Sequence, residues 1–104
     1  MMQNILAILA RIRCLGVRSV VLVPESVYLK ALLGLACLYP NNAGRTARMP
    51  CGNFVSIVST STDIGEVTGD FDLFLCGWGE ATQQEGKTLN LWVSKARGTH
   101  AEVS

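Results

Sequence analysis

The chain has 104 residues, of which 49% are hydrophobic and only 16% charged, and its formal net charge is +1. This length suits one domain and is too short for a two-domain enzyme or a complete dinucleotide-binding fold. The composition is too apolar for a chain disordered throughout, and nine basic against eight acidic residues exclude a polybasic nucleic-acid binder.

Two bulk properties constrain the surface. The mean hydropathy of +0.31 is high for so short a chain, so the excess apolar surface needs a buried helix, a partner or a membrane surface. Residues 1–50 carry six basic groups and one acid, whereas residues 51–104 carry three basic groups and seven acids. We expect these oppositely charged halves to pack together, and the alternative is a dipolar surface that steers a partner.

The first 38 residues predict a helix, a strand and a second helix. Apolar residues at helical spacing indicate an amphipathic helix over 3–15. The β-branched run over 17–23 predicts a strand, and its continuous apolar character suits a central strand buried on both faces. A helix over 26–38 follows, with Ser26 as its N-cap, and its apolar residues run nearly all the way round, which favours burial on most sides.

The rest of the chain is predicted to be a loop followed by strands. Residues 39–53 hold two prolines, two glycines and three asparagines, which indicates a loop. Strands are predicted over 54–59, 71–76 and 88–94, the last two because apolar residues alternate there. Residues 71–76 and 88–94 are expected to pair as an antiparallel hairpin around a long loop over 77–87.

This element order favours an α+β fold rather than strict βαβ alternation. We expect a small mixed sheet of three to four strands with two N-terminal helices packed on one face. Residues 1–94 form the single domain, divided by the loop over 39–53 into a helical and a strand-rich half. Residues 95–104 are expected to be a flexible tail.

Cysteine and histidine usage argues against a metal centre. Cys14, Cys37, Cys51 and Cys76 include no closely spaced pair, and His100 is the only histidine. No metal site and no cofactor is therefore expected, and Cys14 and Cys37 are interpreted as buried thiols.

Targeting signals are weak. We find no secretory signal and no apolar run long enough to span a bilayer, so the expected location is cytoplasmic. The alternative is mitochondrial, because residues 1–24 contain three arginines and no acid, as presequences do. An amphipathic stretch over 3–18 leaves a membrane-surface role as a further alternative.

One segment fits a loose phosphate-loop pattern. Residues 81–88 read Ala-Thr-Gln-Gln-Glu-Gly-Lys-Thr, so Lys87 would reach phosphate oxygens and Thr88 would bind magnesium. Against this, Glu85 would repel phosphate, and the residues after Thr88 alternate like a strand where a helix N-terminus is needed. The expected structure is therefore a hairpin loop.

Other candidate sites are equally weak. Gly77-Trp78-Gly79 begins like a dinucleotide fingerprint but lacks its third glycine, so a flexible turn with a partly exposed Trp78 is expected, and an interface anchor is the alternative. The hydroxyl-rich run over 59–63 has no nearby base and is expected to form a turn. The nearby carboxylates, among them Asp72, are interpreted as solvated turn charges.

No set of catalytic residues remains, so the preferred hypothesis is a small non-enzymatic module that binds another protein or a second copy of itself. Leu29, Leu33, Leu35 and Trp78 are the predicted exposed apolar contacts. No nucleic-acid partner is expected. The alternatives are a nucleotide-binding fragment that uses residues 81–88, a membrane-surface or organelle-targeted protein, and an orphan reading frame without selected function.

Overall fold

A computed structural model describes residues 9, 10, 12 and 17–101, and it shows a five-stranded mixed sheet. The strands stand in the order β2-β3-β1-β4-β5. In chain order they are β1 (Arg18–Val23), β2 (Thr46–Arg48), β3 (Phe54–Ser59), β4 (Phe71–Leu75) and β5 (Gly98–Ala101). Strand β1 pairs in parallel with β3 and β4, β4 pairs in parallel with β5, and β2 pairs antiparallel with β3 at one edge.

Strand β1 lies at the centre, as its apolar run predicts. In the register Val21 stands beside Ile57 of β3 and Phe74 of β4. Side chains alternate across a strand, so Val21 packs into one core and Val20 into the core on the opposite face. Both faces of the sheet must therefore be covered.

A different helix covers each face. Helix α1 (Tyr28–Leu38) packs Ala31 and Leu35 on the face of Val21. Helix α2 (Gln83–Lys95) buries Trp92 completely on the other face, where its ring meets Phe71 edge-on at 6.0 Å between centroids. The result has three layers: a helix, the sheet and a second helix.

The predicted small mixed sheet is confirmed, but its details differ. It has five strands rather than three to four, and the two described helices lie on opposite faces rather than one. The predicted helix over 3–15 lies almost entirely outside the described residues. Within that range residues 9, 10 and 12 are described, and residues 9 and 10 are helical. No helix among the described residues is long and apolar enough to cross a membrane.

The strand predicted over 88–94 is wrong, and so is its hairpin with residues 71–76. Those residues belong to α2, which begins with a capping box between Thr82 and Glu85. Alternation placed Leu91 inward, yet it is 60% exposed, whereas Leu89 and Trp92 share the buried face at helical spacing. A helix between β4 and β5 is what two parallel strands require.

Two strands lie in segments assigned to a loop and a tail. Strand β2 falls within residues 39–53, where the Thr46 and Ser56 hydroxyls meet at 3.1 Å. Strand β5 falls within residues 95–104, where a guanidinium of Arg97 lies 2.7 Å from the buried carboxylate of Asp72. Asp72 is thus not a solvated turn charge. Short strands like these form because of distant partners, and local sequence does not report such partners.

The start of α1 also differs from expectation. A 3₁₀ turn over Glu25–Val27 precedes it, Val27 occupies the N-cap position, and no side chain caps the helix. Ser26 is therefore not the N-cap.

Two leucines of α1 provide a matched test of the fold. Leu35 is fully buried and Leu33 is 60% exposed. We expect Leu35→Ala to lower the free energy of unfolding by about 2–5 kcal/mol, because it leaves a cavity. Leu33→Ala should change the same quantity by less than about 0.5 kcal/mol. Urea unfolding of both variants measures this difference, and equal losses would contradict the placement of α1.

Candidate functional site

The carboxyl ends of the parallel strands are the usual location of a ligand site in this kind of sheet. In open α/β sheets, ligands bind where the connections of adjacent strands diverge to opposite faces. Here that point lies between β1 and β4, since β1 leads to α1 on one face and β4 leads to α2 on the other.

The side chain of Trp78 occupies this point. Its indole N–H donates a hydrogen bond to the carbonyl oxygen of Leu22 at 3.0 Å, and its ring packs against the core under α2. Trp78 is therefore partly exposed, as expected, and hydrogen-bonded to β1, whereas its part in an interface stays a prediction.

The carboxylate of Glu85 ties the surrounding loops together. It accepts hydrogen bonds from the backbone N–H of Glu25 at 2.9 Å and of Thr82 at 3.0 Å. It also accepts bonds from the hydroxyls of Thr60 at 2.8 Å and Thr82 at 3.2 Å. The loops after β1 and β3 and the start of α2 are thus joined at one carboxylate.

These donors change the acidity of the site. The backbone N–H of Thr82, then that of Glu25, and the Thr60 hydroxyl lower the pKa of Glu85 from 4.5 to about 2. The hydroxyls of Ser59 and Ser61 lower the pKa of Glu25 as well. Both carboxylates are therefore charged at neutral pH.

Residues 81–88 do not form the expected hairpin loop, because residues 83–88 lie in α2, and the geometry gives the phosphate-loop alternative little support. The alternating sequence predicts a strand after Thr88, where a phosphate loop needs a helix, and that prediction is wrong. Strand β4 is followed by a short loop and then by helix α2, which continues past Thr88. However, residues 83–88 are already helical, and two backbone donors that a phosphate would need are taken: the Glu85 carboxylate accepts the N–H of Thr82, and the Thr82 hydroxyl accepts the N–H of Glu85. Lys87 is exposed on the second turn of α2.

The hydroxyl-rich run forms the expected turn. The N–H of Ser59 donates to the Thr62 hydroxyl at 3.1 Å, and that of Ser61 donates to the Ser59 hydroxyl at 3.2 Å. Within the described ranges, no group of three or more metal-ligating side chains comes together.

A different surface stands out on α1. Leu29 is 74% exposed and Leu33 is 60% exposed, and they are four residues apart on the outer side of the helix. Ala36 and Cys37 continue the same side and are also exposed. We call Leu29, Leu33, Ala36 and Cys37 the outer row; Lys30 is the one charged residue of α1.

The sequence prediction is correct for two of these residues and wrong for others. Leu29 and Leu33 are exposed as expected, whereas Leu35 faces the core. The interpretation of Cys37 as a buried thiol is wrong, because it is free and exposed. Hydropathy alone cannot separate these leucines, since α1 is apolar on nearly every side.

Cys51 is disulfide-bonded. Disulfides persist mainly in oxidising compartments, and the location of the chain stays a prediction. The residues before position 17 that support the targeting and membrane-surface alternatives lie mostly outside the described part of the chain.

Comparison with protein-family models, curated proteins and solved structures finds no match to this chain.

The Glu85 site makes stability depend on pH. Because its pKa is lower in the folded protein than the ordinary 4.5, Glu85 stabilises the fold above that pH and loses this effect as the pH falls toward 2. We expect Glu85→Gln to be less stable than the parent near neutral pH and to lose stability less steeply on acidification. Urea midpoints measured across this range give the two slopes.

Asp70→Asn is the matched control, since Asp70 is exposed and makes no hydrogen bond within the described part of the chain. Glu25 keeps part of the acid dependence in both variants. A slope in Glu85→Gln equal to that of the parent would contradict the assignment of Glu85 as the central acceptor.

Proposed function

We propose that this chain is a small non-enzymatic interaction module that pairs with a second copy of itself through the outer row of α1. The observation that carries the proposal is the exposure of Leu29 and Leu33 on a helix whose only charge is Lys30. Solvent-facing helix surfaces are normally polar, and contiguous exposed apolar residues mark interaction sites.

The sizes of the residues in the row favour an antiparallel pair of α1 helices. A two-fold axis through Leu33 would set Leu33 against its own copy. The same axis would place Leu29, at one end of the row, against Cys37 of the second copy at the other end. A large side chain would then meet a small one on each side of the axis, as close packing requires.

The charge of the helix is compatible with this arrangement. The axis through Leu33 would place Lys30 opposite Ala36 of the second copy, so no two like charges would face each other directly. α1 contains no acidic residue. The pairing would therefore depend on apolar burial and on shape.

The proposed interface is small. α1 has 11 residues, so it is about 16 Å long and cannot bury the roughly 1,200 Å² of a stable interface by itself. The pair should therefore be weak and concentration-dependent, with a dissociation constant in the micromolar range or above.

The nucleotide-binding alternative has less support. It needs backbone donors at the start of α2, where the Glu85 carboxylate accepts the N–H of Thr82 and the Thr82 hydroxyl accepts the N–H of Glu85. An anionic ligand would have to displace a carboxylate that is charged at neutral pH, because its pKa is about 2.

Two equally exposed leucines test the pairing. Leu33 on α1 and Leu91 on α2 are each 60% exposed, and they lie on opposite faces of the molecule. We expect Leu33→Asp to abolish the concentration-dependent rise in mass that sedimentation velocity detects, because it would place two carboxylates at the axis. Leu91→Asp should leave the rise unchanged. A parent chain that stays monomeric at every concentration would refute the proposal.

Engineered cysteines test the direction of the pair. In an antiparallel pair, Leu29→Cys would place its thiol opposite Cys37 of the other copy, so mild oxidation should give a disulfide-linked dimer on a non-reducing gel. The combined variant Leu29→Cys, Cys37→Ser should not cross-link, because its two thiols would be about 12 Å apart along the helices. Rapid cross-linking of the parent through Cys37 would indicate parallel helices and contradict the arrangement.

A further inference from the structure

A separate cavity lies near the amino end of β3, at the edge of the sheet opposite the Glu85 carboxylate. We propose that it binds a small organic carboxylate with an apolar body. Its volume is about 480 Å³, within the range of small-molecule sites. The last residues of α1, the turn after it and the end of β2 line the cavity: Leu38, Tyr39, Pro40, Asn41, Arg48 and Met49.

The lining has an apolar part and a cationic part. Leu38, Tyr39, Pro40 and Met49 offer aliphatic and aromatic surface, whereas Arg48 supplies the only charge among the lining residues. A ligand that fits both parts needs an apolar body and a negative group at one end.

The Arg48 guanidinium is held in place by one of its nitrogens, and its other N–H donors can still bind a ligand. Its Nε donates to the carbonyl oxygen of Gly52 at 3.2 Å, and its central carbon lies 5.9 Å from the centre of the Phe54 ring. Its two terminal NH₂ groups make no hydrogen bond to any described residue. A planar pair of N–H donors matches the two oxygens of a carboxylate.

The wall that carries Arg48 is a fixed turn. The N–H of Met49 donates to the carbonyl of Asn53 at 2.8 Å, and the N–H of Gly52 donates to that of Met49 at 2.9 Å. Gly52 has φ +100°, a backbone conformation that side chains disfavour, and Cys51 beside it is disulfide-bonded. A site held in this way loses little entropy on binding.

The experiment compares three probes by amide NMR titration of the full chain. Benzoate has both required parts, benzamide has the ring without the charge, and acetate has the charge without the ring. We expect benzoate to shift the amides of residues 38–41, 48 and 49 with a dissociation constant in roughly the millimolar range, as suits so small a ligand. It should bind about fivefold more tightly than benzamide, the limit for an exposed ion pair.

Arg48→Gln should remove the preference for benzoate over benzamide, whereas Lys87→Gln, which removes an exposed positive charge from α2, should keep it. Repeating the titration on Leu33→Asp separates this site from the pairing of α1. Equal binding of benzoate and benzamide, shifts elsewhere in the chain, or an unchanged preference in Arg48→Gln would each overturn the proposal. If Arg48→Gln fails to fold, the comparison of the three probes on the parent chain decides.

Discussion

The structure depends on the burial of β1 on both of its faces and along both of its edges. Residues Val20–Val23 have no exposed surface, and parallel strands flank them on either side. Parallel neighbours require crossover connections: α1 lies between β1 and β3 in the chain, α2 lies between β4 and β5, and the two helices cover opposite faces of the sheet. Covering β1 therefore uses both described helices, and neither remains to cover the outer side of α1.

This use of the helices determines where binding surfaces can lie. At the carboxyl edge, where α/β proteins usually take a ligand, Trp78 bonds to the end of β1 and Glu85 bonds to the loops after β1 and β3. At the amino edge, Arg48 keeps donors available beside an open cavity. Within the described part of the chain, the outer row of α1 and this cavity are thus two surfaces that can still take a partner or a ligand.

Sequence reasoning succeeds where a local pattern coincides with the long-range environment. The valine-rich run of β1 is buried on both sides, so its composition identifies it as a central strand. The strand prediction over 88–94, in the second half of α2, fails because Leu89, Leu91 and Val93 alternate while Trp92, between them, faces the core. The capping box between Thr82 and Glu85 is the signal that would have identified this helix. The local sequence of strands β2 and β5 contains no comparable signal. Their side-chain contacts are made with residues far away in the chain: Ser56 contacts Thr46 of β2, and Asp72 binds Arg97 just before β5.

The position of β1 also affects how the chain folds as it is synthesised. Val21 lies beside Phe74, about 50 residues later in the chain, so one edge of β1 stays unpaired until most of the protein has left the ribosome. During that interval an apolar strand is exposed, and such edges are where nascent chains associate wrongly. The central strand can therefore cause association between nascent chains during synthesis, until β4 pairs with its free edge.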